Sequence, residues 1–420
     1  DYVSGASLLI RKSLWDRLGG LSVCYAPAYY DDVDLCFRAR ELGYKVVYQP
    51  TSKVIHFEGI SNGTNLETGL KRYQNINREK FCKKWKLALY NQCGSEDIFF
   101  ARDRSKGKKI ILVMDRYVPE FDKDAGSRSV LQYLRIFLAL NMKVVFIGAD
   151  KTLHGRYGKY LQDLGIEVVY DCDIELWLKK YGKYVDITFI SRPNVALNYL
   201  NLVKANSSCK IIYNVCDLHY LRDRREFELT GERASLNSSS YWESKEFSII
   251  EKADVVLTVS STEASLIKKK NPGTHVEVAP VFVYPFKKGE DVNNNVTGKR
   301  DLLFVGGYDH KPNVDAALWL VKSVMPIIWN EKNDVRVILC GSNPPEELLS
   351  LQSKRCIVTG YVSDYILDCI YSSVRMCLIP LRFGAGVKGK VIEAMYHQVP
   401  IISTSIGLEG IDGISSLMQF

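Results

Sequence analysis

What this sequence lacks narrows it before any motif is read. No run approaches the roughly 20 consecutive apolar residues that a membrane-spanning helix needs, and the first residues carry no signal-peptide pattern. The 11 cysteines include no Cys-x-x-Cys pair of the metal-binding kind, and Cys216, Cys340 and Cys377 lie inside apolar runs, which points to a reducing, cytoplasmic setting. In that setting the sequons at Asn62 and Asn295 are chance occurrences. No Gly-x-Gly-x-x-Gly opens a helix after a first strand, which argues against a dinucleotide oxidoreductase. No initiating Met precedes Asp1, and SSLMQF ends soon after a strand-like VPIIST, so a chain cut at both ends is expected.

What is present is globular: 420 residues, 46% hydrophobic and 25% charged, enough for two or three domains. The formal charge of +8 is compatible with anionic ligands, nucleic acid or a membrane face and selects none of them. Residues 1–60 read as one unit. ASLLI predicts a short strand, the next helix is stopped by Gly19-Gly20, DDVDLCFRARELGY is a helix stopped by Gly43, and KVVYQP and KVIHFEG predict two strands. Residues 61–108 are polar and basic, and KRYQNINREKFCKKWK predicts a surface helix followed by a linker. Its basic face is either simply solvated or turned toward anionic lipid headgroups.

A new rhythm starts at Lys109. KKIILVMD, KVVFIG, IEVVYD, VDITFIS, CKIIYNVCD and ADVVLTVS are buried-type strands with helical segments between them. After a loop-like break near 283–300, the rhythm restarts with DLLFVGG, VRVILCG, CIVTGYV, MCLIP and VPIIST. The fold class predicted is α/β: two doubly wound, Rossmann-like domains over 109–285 and 286–420, preceded by a partial domain. Ligands of such sheets bind at the carboxyl ends of the strands.

The stretch RFGAGVKGKVIEAM runs from a strand through a glycine loop into a helix. A helix start collects unbonded N–H groups and the positive end of the dipole, so it suits an anion. Gly384 and Gly386 would let a phosphate approach the backbone, Arg382 and Lys388 would add charge, and Glu393 would accept from sugar hydroxyls. A mere tight turn is the equally simple alternative.

VKGKVIEAMYHQVPIISTSIGLEGI resembles the donor-binding signature of glycosyltransferase family 4, and the upstream DLLFVGGYDHKPNVDAALWL resembles the start of the same domain. The resemblance covers about 110 residues. It implies a GT-B enzyme, in which two Rossmann-like domains face a cleft and no metal cofactor is used. Glu393 then matches the second Glu of the family's Glu-x7-Glu motif, which contacts the ribose, while the first falls at Ala385 and is absent. Gly306, Gly307 and Lys311 match the loop approaching the diphosphate, although Lys311 also reads as a solvated lysine. Gly126 matches the glycine loop near acceptor and donor phosphate. Asp217 and His219 follow a strand at its carboxyl end, where a cleft-facing polar cluster would sit, and by the resemblance His219 is the histidine that contacts the donor sugar, with a capping Asp217 and a structural His219 as alternatives.

VSGASLLIRKSLWDRLGG and YYDDVDLCFRARELGYKVVYQPTSKVIHFEG resemble the C-terminal half of a family 2 glycosyltransferase of the GT-A type, over about 60 residues. By that resemblance Asp31-Asp32 is the acidic pair, Asp32 the candidate base, Asp34 a residue of the helix start, and His56 a histidine near metal or diphosphate. The Asp-x-Asp motif and its divalent metal (Mg or Mn) belong to an intact GT-A domain, so the front half alone is expected to lack transfer activity. Together the resemblances imply a bifunctional glycosyltransferase of surface-polysaccharide assembly, retaining in its GT-B half. The implied partners are a nucleotide sugar, a glycan or polyprenyl-linked acceptor and the cytoplasmic membrane face, with no nucleic acid. A nucleotide-sugar epimerase or a sensor with degraded sites is the alternative.

Overall fold

The computed structural model describes residues 2–49, 52–55, 65–90, 92–94, 98–101, 107–279, 284, 298–411 and 413. The chain divides into two compact units, Asp1–Lys108 and Lys109–Phe420.

The first unit contains helices α1 (Lys12–Leu18), α2 (Asp31–Glu41), α3 (Arg72–Lys84), α4 (Lys86–Tyr90) and α5 (Ile98–Ala101). As the glycine signal predicts, α1 stops at Gly19 in the left-handed conformation (φ +70°), its N–H returned to Trp15 and Asp16 carbonyls. Three aspartates open α2 and two arginines close it, which complements the helix dipole. The strands expected in ASLLI and KVVYQP do not form, and no strand occurs among the described residues of this unit. Extended segments need a bonded neighbour, and Leu9, Val47 and Tyr48 instead stand exposed. KVIHFEG lies partly outside the described residues, as does His56.

The surface-helix reading of α3 also needs correction. Phe81 and Trp85 pack with Tyr25 and Phe37 as the core of this unit. Asn77 is fully buried and donates to the carbonyls of Tyr25 (2.7 Å), Ala28 (2.8 Å) and Tyr29 (3.2 Å). Asp34 is likewise no simple helix-start residue. It is fully buried and accepts from Tyr25 Oη (3.2 Å), Arg38 Nε (2.8 Å), Lys84 Nζ (2.6 Å) and Trp85 Nε1 (2.8 Å). Burial raises its carboxyl, but those donors outweigh it and the net shift is downward.

The second unit holds two parallel sheets. The first runs β1 (Ile110–Asp115), α6 (Ala125–Ala139), β2 (Lys143–Gly148), α7 (Arg156–Leu164), β3 (Glu167–Val169), α8 (Ile174–Tyr181), β4 (Ile187–Ser191), α9 (Pro193–Asn206), β5 (Lys210–Val215), α10 (His219–Thr230), α11 (Arg233–Ile250), β6 (Val255–Thr258), α12 (Ser261–Lys270) and β7 (Val276–Val278). Its strand order is β3-β2-β1-β4-β5-β6-β7. The edge strand β7 went unseen in the sequence because its Glu277 and Val278 face solvent and leave no apolar run.

The second sheet runs β8 (Leu302–Val305), α13 (Lys311–Trp319), α14 (Met325–Glu331), β9 (Val337–Cys340), α15 (Glu346–Leu349), β10 (Cys356–Gly360), α16 (Asp364–Ser373), β11 (Met376–Ile379), α17 (Gly389–Tyr396), β12 (Ile401–Ser403) and α18 (Ser405–Leu408), in the order β10-β9-β8-β11-β12. A π-helical turn at Leu320–Val324 joins α13 to α14, absorbing Pro326, which has no N–H to give the preceding turn. Both sheets are doubly wound, with the strand order reversing direction between β1 and β4 and between β8 and β11. Those two switch points are where such sheets bind ligands.

Candidate functional site

The carboxyl ends of the two sheets meet. A Cβ added at Gly386 would lie 3.0 Å from the Cys216 carbonyl and 3.3 Å from Asp217 Cβ, and one added at Gly410 would lie 2.6 Å from Ser260 Oγ. Gly386 has φ +69° and Gly384 φ +145°, so glycine is needed for conformation at both and for space at Gly386. Gly384, Gly386 and Gly389 do stand at Gly-x-Gly-x-x-Gly spacing, after β11 rather than after a first strand. Arg225 of α10 braces the loop from the opposite sheet, donating to the Gly384 carbonyl (2.6 Å) and gripping both Glu409 oxygens (2.6 Å each).

Helices α10 and α17 both begin at this meeting, and their first N–H groups find different partners. The opening N–H groups of α10 are taken by buried carboxylates: Glu246 accepts from His219 (2.8 Å) and Tyr220 (3.1 Å), and Glu263 accepts from Leu218 (3.0 Å) and Thr258 Oγ1 (3.0 Å). The α17 start has no side-chain cap. An incoming phosphate therefore finds unspent donors at α17 and not at α10.

Burial pushes Glu246 up to about 8 and Glu263 up to about 7. An acid held neutral in the fold binds protons that the unfolded chain has released, so stability falls as pH rises from about 4.5 toward about 8. Glu246→Gln is expected to flatten that fall, read as a smaller loss of melting temperature between pH 5 and pH 8; an unchanged pH slope would show the linkage lies elsewhere.

The sequence-predicted residues separate into two groups. Asp217, His219, Gly384, Gly386 and Lys388 come together. Asp217 accepts from Arg222 Nη1 (2.9 Å) and lies 3.6 Å from His219 Nε2. Burial would raise Asp217, but His219, Arg222, His310 and Lys388 together bring it down. Burial lowers His219, and lowers His310 to about 4, so both imidazoles face the cleft uncharged at neutral pH. Lys388 Nζ bends back onto its own loop, donating to the carbonyls of Ala385 (3.0 Å) and Gly386. Gly306 and Gly307 follow the end of β8, with the Gly307 carbonyl fixed by Asn313 Nδ2 (2.8 Å). Glu393 is engaged by Arg128 Nη1 of the first sheet's α6 (2.9 Å) and by Tyr371 Oη (3.2 Å). Gly126 packs on Arg192, whose Nη2 would lie 3.0 Å from an added Cβ, and Arg192 Nε donates to the buried Asp115 (2.7 Å) at the β1/β4 switch point.

Two residues do not join them. Arg382 is spent on both oxygens of Asp315, and Lys311 is largely exposed with Glu226 at 3.6 Å, so neither brings free charge to the loop. Sequence reading missed Arg128, Arg225, His310 and Lys390. Two of these carried a signal: His310 stands beside Lys311 in DHKPN, and Lys390 stands two residues after Lys388 in the glycine-loop stretch.

In the first unit, Asp32 opens α2 and accepts from Gly5 N–H (2.6 Å) and Val33 N–H (2.8 Å), beside Asp31. Tyr29 and Tyr30, immediately before them, both hold φ +71°. Among the described residues no three His, Cys, Asp or Glu side chains are grouped to hold a metal ion, so they do not by themselves fit the metal of a GT-A site.

Comparison with known proteins adds the following. The chain is 28% identical over 165 residues, 37% of its length, to 40% of an uncharacterized 44.6 kDa protein in the cps region of Klebsiella pneumoniae. It is 37% identical over 62 residues, 15% of its length, to 20% of an N-acetylglucosaminyl-diphospho-decaprenol L-rhamnosyltransferase of Mycobacterium tuberculosis. The chain thus spans less than half the length of these curated relatives. A structure of an S. aureus TarM variant in complex with fondaparinux, alpha-GlcNAc-glycerol and UDP superposes with a TM-score of 0.54 over 74% of this chain and 88% of that one, at 9% identity, a likeness of fold. Residues 299–418, which carry the glycine loops and α17, match the family model described as Glycosyl transferases group 1.

Proposed function

We propose that the second unit transfers a sugar from a nucleotide-sugar donor to a growing glycan or lipid-linked acceptor in cell-surface polysaccharide synthesis, retaining the anomeric configuration. The observation that carries this is the glycine loop Gly384–Gly386 pressed on Cys216 and Asp217, with the uncapped start of α17 beside it. In this reading α17 N–H groups and nearby cations stabilise charge on the departing diphosphate, and Glu393 accepts from the ribose hydroxyls. Asp217, with His219 kept neutral, faces the donor sugar. The backbone at Ala385 stands where relatives of the wider family place a carboxylate.

The same reading makes the first unit part of an inverting GT-A transferase with Asp32 as base. The two left-handed tyrosines before Asp31-Asp32, the Tyr29 carbonyl held by Asn77, support a site there, since such strain gathers at functional loops. A seat on the cytoplasmic membrane face also belongs to this reading: α3 and α4 expose Arg72, Ile76, Lys83, Leu87 and Tyr90, a basic and apolar mixture suited to anionic headgroups.

The test is incubation of the protein with a panel of nucleotide sugars, with and without vesicles bearing lipid-linked glycan. Nucleoside diphosphate released only with acceptor is the expected result. A sugar altered without acceptor points to epimerisation, and binding without turnover points to a sensor.

A further inference from the structure

Lys388 is the lysine that the glycine loop advertises, yet its ammonium is turned onto two carbonyls of that same loop. Two residues on, Lys390 lies differently. Its Nζ is 2.6 Å from Asn313 Oδ1 and stands over the Phe304 ring, 4.5 Å from the centroid. It sits directly beneath Gly306: a Cβ there would be 2.8 Å from Nζ and 2.8 Å from Asn313 Cγ. Gly306 directly follows β8, and Lys390 is the second residue of α17, which follows β11, so this ammonium occupies the switch point between those strands.

The surroundings are incomplete for a lysine. Asn313 is a neutral acceptor, and among the described residues no carboxylate is within ion-pair distance of Nζ. The titratable groups around it are Glu393 on its own helix, Lys388 before the helix, His310 at the start of α13, Tyr371 on α16 and Cys377 on β11. Burial first, and then the charge of Lys388, bring Lys390 down to about 7, while Glu393 pulls the other way.

Building on the transferase reading, we propose that Lys390, reached across the missing side chain of Gly306, is the cation that meets the donor's diphosphate, and that it takes up a proton from solvent as the diphosphate arrives. The anion supplies the countercharge that the free protein lacks, and Asn313 keeps the ammonium aimed. Lys390 thereby supplies charge to the leaving group that Arg382 and Lys311, committed elsewhere, do not.

The test is calorimetric titration of the protein with UDP, GDP and dTDP at pH 8 in Tris and in PIPES, buffers whose ionisation enthalpies differ. Wild type is expected to bind one of them with net proton uptake. Lys390→Met, near in volume, is expected to lose about tenfold or more in affinity, and Lys390→Arg to bind with the proton uptake gone, because guanidinium stays charged in both states. A role in packing alone would not move the proton count. Wild-type affinity in Lys390→Met, or unchanged uptake in Lys390→Arg, overturns the proposal while leaving the transferase reading standing. No binding of any nucleoside diphosphate by wild type overturns both.

Discussion

Asp34→Ala is expected to unfold the first unit while leaving the sheets of the second intact. The side chain serves four donors, of which the Trp85 indole and Tyr25 hydroxyl have no water to turn to. Removing one partner from a buried charge pair costs about 3–5 kcal/mol. Lys84 is 41% exposed and can be rehydrated, which places the loss toward the lower end of that range. Arg38 also ties the Leu18 and Gly20 carbonyls at the end of α1, so the damage spreads from α2 to α1. Hydrogen exchange gives the reading: protection in α2 and α3 should collapse, while β1, β4 and β8 keep theirs. Full protection of α3 in the variant would refute the hub role.

Glu393→Ala and Arg128→Ala are expected to act in opposite directions on donor binding. Both Glu393 oxygens are occupied by protein donors in the free chain, one of them from α6, 265 residues away. If the carboxylate accepts from ribose, deleting it removes charged hydrogen bonds worth about 1.5–3 kcal/mol, roughly 10- to 100-fold in nucleoside diphosphate affinity. Arg128 competes for the same oxygen, so its removal should leave affinity equal or tighter. A titration in which Glu393→Ala binds as wild type would remove Glu393 from the donor site. Equal weakening by both variants would instead make Arg128 a donor contact.

The sheets were legible because their strands are continuously apolar. Runs such as IILVMD and KVVFIG can only be buried on both faces, and that pattern survives without knowing any partner. The first unit was misread for the opposite reason: KVVYQP has strand composition, but a strand exists only where another bonds to it. The glycine loop could also be read, since glycines at Gly384 and Gly386 report backbone needs that are local. Which lysine serves it could not. Lys388 and Lys390 differ only by where tertiary packing sends the side chain, and the features that decide it, Asn313 and the bare Gly306, lie more than 70 residues upstream. Arg128 and Arg225 were invisible for the same reason, because each acts on a residue of the opposite sheet domain, Arg128 on Glu393 of α17 and Arg225 on the Gly384 loop and Glu409.

The contact of Gly386 with the Cys216 carbonyl bears on timing. The Gly386 loop packs close to Cys216 and Arg225 clamps Glu409, so the two sheets are braced together at their carboxyl ends. In the proposed transferase, a separation of the two sheets would break that brace and the Arg128–Glu393 contact together. A transferase of the proposed kind would be paced by its own opening: raising donor concentration would speed capture only up to the frequency with which the two halves part.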